Sequence, residues 1–171
     1  MKPSNFTYVN AKNLQEALLA LEQPDSKLIA GGQSLVPLMN YRLSQPSTIV
    51  DINSIPKLKQ INVEEKILKI GSLVTHNEAI SSKDIFNFFP IIPEALKHTA
   101  HQTIRNSGTI GGSVAHADPS AEWPLLIILL DCLINVVSSN NNRIIPAKDF
   151  FISELTTQLR ENEIIESFEF P

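Results

Sequence analysis

Two short segments of this sequence combine glycine with hydroxyl side chains. One is Ala30-Gly31-Gly32-Gln33-Ser34; the other runs from Gly108 through Thr109, Ile110, Gly111, Gly112 and Ser113 to His116. Glycine reaches positive φ and, lacking a Cβ, lets backbone N–H groups close on a ligand, which is how anion-binding nests and phosphate loops are built. Each segment lies near an expected helix start, where unpaired N–H groups and the helix dipole favour a phosphate. Together they could hold a pyrophosphate or a dinucleotide. Each alone also matches an ordinary tight turn.

The common nucleotide signatures are absent. Gly32 is followed by Gln33-Ser34 and Gly112 by Ser113-Val114, so neither segment has the lysine and hydroxyl residue of a Walker loop. The spacing of Gly108, Gly111 and Gly112 does not match G-x-G-x-x-G. "GGSVA" approaches the nucleophile elbow G-x-S-x-G, with Ser113 in the nucleophile position and His116 and Asp118 nearby, but Ala115 replaces the last glycine. Triad partners meet through the fold rather than along one loop, so a Ser113-dependent hydrolase ranks last among the alternatives. His98, His101, His116 and Asp118 invite a metal reading, yet no thiolate and no H-E-x-x-H pattern supports it, and no metal is expected. Cys132 follows an apolar run and reads as a buried small hydrophobe. Trp123, at the start of an apolar helix, reads as core in preference to a stacking platform.

The elements that must position these residues are mixed. With 171 residues, 43% hydrophobic and 19% charged, the chain is globular, and its net charge of −4 with scattered Lys and Arg gives no basic stripe for nucleic acid or anionic membrane. A single cysteine suits a reducing interior, and a cytoplasmic location is expected. "AKNLQEALLALE" carries Leu14, Leu18 and Leu21 on one helical face from about Asn10, ending before Pro24. "KLIAGG" reads as a strand entering a glycine turn, and "SLVPLMNYRL" as a helix that Ser34 would cap. "STIVDI" is a second strand; "LKQINVEEKILKIGSLV" is a hairpin turning at Glu64 and Glu65. Helix follows from Ile85, then the second glycine segment as a loop, then a buried helix from about Pro119 to Asp131. A hairpin around Asn140 to Asn142 and a final strand in "EIIESFEFP" complete an α+β chain. The change from strand–helix alternation to hairpins near Ile55-Pro56 predicts one lobe over residues 1–55 and a second over 56–171.

Taken together, "AGGQSLVPLMNYRL", "STIVDINSIPKLKQI", "IGSLVTHNEAI", "QTIRNSGTIGGSVAHADPSAEWP" and "ENEIIESFEFP" give the chain a resemblance to the flavin-binding medium subunits of molybdenum hydroxylases, the family of carbon monoxide dehydrogenase and xanthine dehydrogenase. The segments occur in family order and cover nearly the whole chain. The resemblance implies a two-lobed FAD-binding domain of the vanillyl-alcohol-oxidase or PCMH type. Ala30, Gly31, Gly32, Gln33 and Ser34 would wrap the FAD pyrophosphate. Thr109, Ile110, Gly111, Gly112 and Ser113 would contact the pyrophosphate and the flavin side. His116 would lie at the cofactor, Glu122 would hydrogen-bond it, Leu28 would contact it, and Ile165 falls in a segment lining the adenine side.

The same resemblance implies an oxidoreductase component with no catalytic residue of its own. It would pass electrons from the 2Fe–2S clusters of a small subunit, in a complex whose large subunit holds molybdenum, through flavin to an acceptor. The scarcity of cysteine agrees, because clusters need thiolate ligands. Xanthine dehydrogenases carry Asn where this chain has Ser113, and the family continues past the equivalent of "FEFP" into a C-terminal domain. A sequence ending at Pro171 therefore leaves a second expectation, a non-enzymatic remnant that keeps the fold.

Overall fold

The computed structural model describes residues 2–171. Three strands near the N-terminus, β1 (Thr7–Asn10), β2 (Ser26–Ile29) and β3 (Thr48–Asp51), form a parallel sheet in the order β1-β3-β2. Helix α1 (Leu14–Leu21) joins the first two strands and buries Ala17 and Leu21. Its N-terminus is fixed by Asn13, whose side chain accepts from Glu16 N–H at 2.9 Å, so the helix starts later than the leucine pattern alone indicates. Strand β1 was not expected. Its residues are mostly exposed and carry little apolar periodicity, and it exists through register with β3, Thr7 against Thr48 through Asn10 against Asp51.

Helix α2 (Leu35–Asn40) follows β2 after the Gly31-Gly32 turn. Beyond β3, a 3-10 turn over Pro56–Lys59 leads into the hairpin of β4 (Ile61–Glu64) and β5 (Ile67–Gly71). The turn falls on Glu65, at φ 56°, and Lys66, one residue later than the sequence indicated. Helices α3 (His76–Ser81), α4 (Lys83–Phe88), α5 (Ile91–Leu96) and α6 (Gln102–Arg105) follow.

The second glycine segment is not a loop. Thr109 caps a helix, α7 (Ile110–His116), by accepting from Gly112 N–H at 3.1 Å, and Ala117 closes it at φ 54°. Two glycines each disfavour a helix by about 1 kcal/mol relative to alanine, so local propensity argued for a loop. Tertiary contact overrides it: Ile110 N–H donates to Val74 O at 3.0 Å and Gly111 N–H to Ser72 O at 2.9 Å, tying α7 to the turn after β5.

Helix α8 (Glu122–Leu129) begins after an Asx turn in which Asp118 accepts from Ser120 N–H, and it is shorter than expected. It is not buried all round: Trp123, Leu126 and Ile127 face the core, while Leu125 is 68% exposed and Ile128 and Leu129 are exposed beside it. Strands β6 (Leu133–Val137) and β7 (Asn142–Pro146) form the expected hairpin. A short helix α9 (Ala147–Phe150) and the small hairpin of β8 (Phe151–Ser153) and β9 (Thr156–Thr157) lead to β10 (Ile164–Phe170).

The last strand is central. The second sheet has the order β4-β5-β10-β6-β7, all antiparallel, with Leu68, Ile70, Ile134, Val136, Phe168 and Phe170 buried under the helices. A second apolar contact joins the two sheets: Ala11, Val50, Ile52 and Ile55 pack with Leu58, Leu73, Val137 and Ile164. Beside this seam the chain leaves a cavity.

Candidate functional site

The cavity has a volume of about 950 Å³, at the upper end of the ~300–1,000 Å³ usual for small-molecule sites. One wall is β2 and the turn after it. Leu28, Ala30, Gly31, Gly32, Gln33 and Ser34 all line it. Gly32 has φ +69°, the left-handed region that favours glycine, and this turns the chain from strand into helix. Ser34 occupies the N-cap position of α2 but makes no side-chain cap hydrogen bond, contrary to expectation. Among the described residues, the N–H groups of Gly31, Gly32, Gln33, Ser34 and Leu35 donate no hydrogen bond; the first engaged is Val36 N–H, to Gly32 O at 3.0 Å. Five consecutive donors at a cavity wall are thus left without a protein partner, the supply of backbone N–H groups that an anion nest uses.

The opposite wall comes from α7 and its cap: Thr109, Gly111, Gly112, Ser113 and His116, with Glu122 from the first turn of α8. Ile110 does not belong to it. Its side chain is fully buried in the core and points away from the cavity, and its N–H is taken by Val74 O. The expectation that N–H groups from Thr109 to Ser113 are available holds only for Thr109, whose N–H has no partner among the described residues, and is otherwise corrected. Those of Gly111, Gly112 and Ser113 are engaged by Ser72 O, Thr109 Oγ1 and Thr109 O, because the segment is a capped helix packed on the β5 turn. Gly108, Gly111 and Gly112 have no positive φ; the first two are small because His76 and Ser72 crowd them. The two walls touch directly: a Cβ on Gly31 would lie 1.9 Å from Ser107 O and 3.0 Å from Gly108 Cα.

His76 also lines the cavity and was not singled out from the sequence. It starts α3, after a capping box in which Thr75 accepts from Glu78 N–H and Glu78 accepts from Thr75 N–H. Its backbone N–H donates to Gly108 O at 2.9 Å, and its Nδ1 accepts from the Trp123 indole Nε1–H at 2.8 Å. Burial pushes the imidazole pKa down to about 4, against the nearby Glu122 carboxylate. The ring is therefore neutral at physiological pH. The capping box T-x-x-E was the one sequence signal that could have fixed His76 at a helix start. Trp123 is core, as expected, at 1% exposure.

The third wall is the segment before β10. Arg160, Glu161 and Asn162 line the cavity, with Ile165 of β10 on the same side. Glu163 anchors this segment. Arg143 donates to it twice, Nε to Oε1 at 2.8 Å and a second guanidinium N–H to Oε2 at 2.7 Å, and Arg160 N–H donates to Oε2 at 2.8 Å. Burial pushes the Glu163 carboxyl up, but these donors outweigh it and hold it below the usual carboxylate range. Among the described residues lining the cavity, Lys27 and Arg160 are the only Lys or Arg. Backbone N–H groups, in preference to a cluster of cations, are the means this cleft offers for meeting an anion.

Ser113 sits within the first turn of α7 with ordinary backbone, outside the strained strand-to-helix turn an elbow needs, and it has no hydrogen bond to a histidine. The hydrolase alternative has no geometric support.

Comparison with known proteins extends over the whole chain. Residues 4–171 match the model of the FAD-binding domain in molybdopterin dehydrogenase. The chain belongs to this family. The alpha subunit of the 6-hydroxypseudooxynicotine dehydrogenase complex of Paenarthrobacter nicotinovorans is 44% identical over 167 residues, 96% of this chain and 56% of that subunit. Quinoline 2-oxidoreductase from Pseudomonas putida 86 superposes with a TM-score of 0.98 at 40% identity, and carbon monoxide dehydrogenase from Hydrogenophaga pseudoflava with 0.98 at 39%. Each match covers 100% of this chain and 60% of the longer one. The molybdopterin dehydrogenase FAD domain is thus the fold, mixed helix and strand, that the sequence resemblance implied. Its cofactor is FAD, and the cleft fits one: the wall from Gly31 to Leu35 carries backbone N–H groups that have no hydrogen-bond partner among the described residues.

Proposed function

We propose that this chain is the FAD-binding, electron-transfer unit of a molybdenum hydroxylase. The observation that carries the reading is the row of unpaired N–H groups from Gly31 to Leu35, set against Gly108 at the closest approach of the two glycine segments. A diphosphate seated there would receive several charge-assisted hydrogen bonds without a buried lysine. Among the residues lining the cleft, Leu28 would give apolar contact to the cofactor and Ile165 would line its adenine side, while Thr109, Gly111, Gly112, Ser113, His116 and Glu122 would face the rest of the dinucleotide. FAD, when bound, supplies a flavin ring that takes up electrons singly or in pairs.

This chain's residues bind and orient the cofactor; none is required as a general acid or base. The chain spans roughly three-fifths of the relatives it matches, and the relatives' names, subunit alpha of a complex and medium chain, support a place in a larger assembly. The partners that reading entails are a large subunit with the molybdenum cofactor and a small subunit with 2Fe–2S clusters, the latter the source of the electrons. Incubation of the chain with FAD followed by gel filtration tests the binding step: retained flavin absorbance near one per chain is expected, and a colourless protein overturns the reading.

A further inference from the structure

We propose that His76 is a cofactor-binding residue, donating a hydrogen bond from Nε2–H to a diphosphate oxygen of the dinucleotide; this rests on the FAD reading of the cleft. The tautomer follows from the partner. Indole Nε1–H is a donor only, so the 2.8 Å bond from Trp123 requires a lone pair on His76 Nδ1, and the neutral ring must carry its proton on Nε2. Trp123 is buried and cannot reverse its role.

That Nε2–H has no hydrogen-bond partner among the described residues, and the atom is not sealed from the cavity that His76 lines. It lies at the junction of the two glycine segments. A Cβ on Gly108 would be 2.7 Å from Nε2, and a Cβ on Gly31 would be 3.0 Å from Gly108 Cα. Only the missing side chain of Gly108 leaves the imidazole edge its place beside the turn whose N–H groups are unpaired. A diphosphate has only acceptor oxygens to present there. Burial keeps the imidazole neutral, so it offers a fixed donor whose protonation does not vary over physiological pH.

The test uses the full chain and two probes, FAD and ADP, followed by flavin fluorescence and by calorimetry. His76→Phe is expected to weaken both by about tenfold, the usual loss for a hydrogen bond to a charged group. His76→Gln, whose amide places a donor near Nε2, is expected to stay within about threefold of the parent chain. Trp123→Phe removes the constraint on the tautomer and is expected to weaken both probes less than His76→Phe. Circular dichroism reports whether each variant is folded.

A second measurement needs no substitution. In the chain labelled with 15N-histidine, His76 is expected to give the pattern of an Nε2–H tautomer, and that resonance is expected to shift on addition of ADP. An Nδ1–H pattern, or a resonance unmoved by saturating ADP, overturns the assignment. A folded His76→Phe that loses FAD but not ADP affinity also overturns it, placing the donor on the flavin half. Unchanged affinity for both probes overturns it and leaves the FAD reading standing, whereas a parent chain that binds neither overturns both.

Discussion

Gly31 lies against the Ser107 carbonyl so closely that a Cβ would be 1.9 Å from its oxygen. This contact joins the two cavity walls, and a methyl group there must push one of them away. Gly31→Ala is expected to cost about 2 kcal/mol of stability and to lower FAD affinity by more than tenfold, because the nest and Gly108 separate. Urea unfolding and FAD titration of the variant check both; parent-like affinity would show that the contact is dispensable to the site.

Gly32 offers a contrast. At φ +69° an alanine is strained by about 1–2 kcal/mol, and the neighbours it would meet are side chains, Val36 at 3.0 Å and Ile29 at 3.4 Å, with no backbone in the way. Gly32→Ala is therefore expected to be no worse than Gly31→Ala in the same urea titration. A larger loss at Gly32 would mean that backbone conformation, and not the approach of the two walls, dominates this turn.

The cap of α7 gives a purely structural expectation. Thr109→Val keeps the shape but removes the oxygen that accepts from Gly112 N–H at 3.1 Å. The loss expected is about 1 kcal/mol, read as a lower urea midpoint with unchanged m-value. An unchanged midpoint would mean that the tie between Ile110 N–H and Val74 O holds α7 without its cap.

His76 sets a pH dependence whose sign can be worked out. Its folded pKa, near 4, lies below the ordinary value of 6.5, so between those values the unfolded chain binds more protons. Stability is then full above about pH 6.5 and is lost as pH falls toward 4, by about 3 kcal/mol at the limit. Glu163 and Asp51, both held below the usual carboxylate range, contribute their losses at lower pH. Urea midpoints at neutral pH and near pH 5 should differ in the parent chain and differ less in His76→Gln; equal slopes would show that another group titrates in that window.

Much of the fold was legible because its signals are local. Alternation marked both hairpins and β10, and Leu14, Leu18 and Leu21 marked α1. The elements that escaped depend on contacts made elsewhere in the chain. β1 is ordered by register with β3, and α7 forms through two glycines because Thr109 caps it and Ser72 and Val74 receive its N–H groups. The same cause explains the division of labour at the site. Glycine content marked both segments alike, but only the first keeps a row of N–H groups unpaired, since the second, apart from Thr109, spends them on helix and turn. Ile110, grouped by position with its neighbours, points into the core because a helix presents successive residues about a hundred degrees apart. His76 was hidden because its role is set by Trp123, 47 residues away.

The central claim is that the chain holds FAD in the cleft between Gly31 and Gly108. Calorimetric titration of FAD into the parent chain, with Gly31→Ala alongside, tests it most directly. Saturable binding at one FAD per chain, weakened more than tenfold in the variant, is the result predicted here; no saturable heat with the parent chain, or equal binding by both proteins, would contradict it.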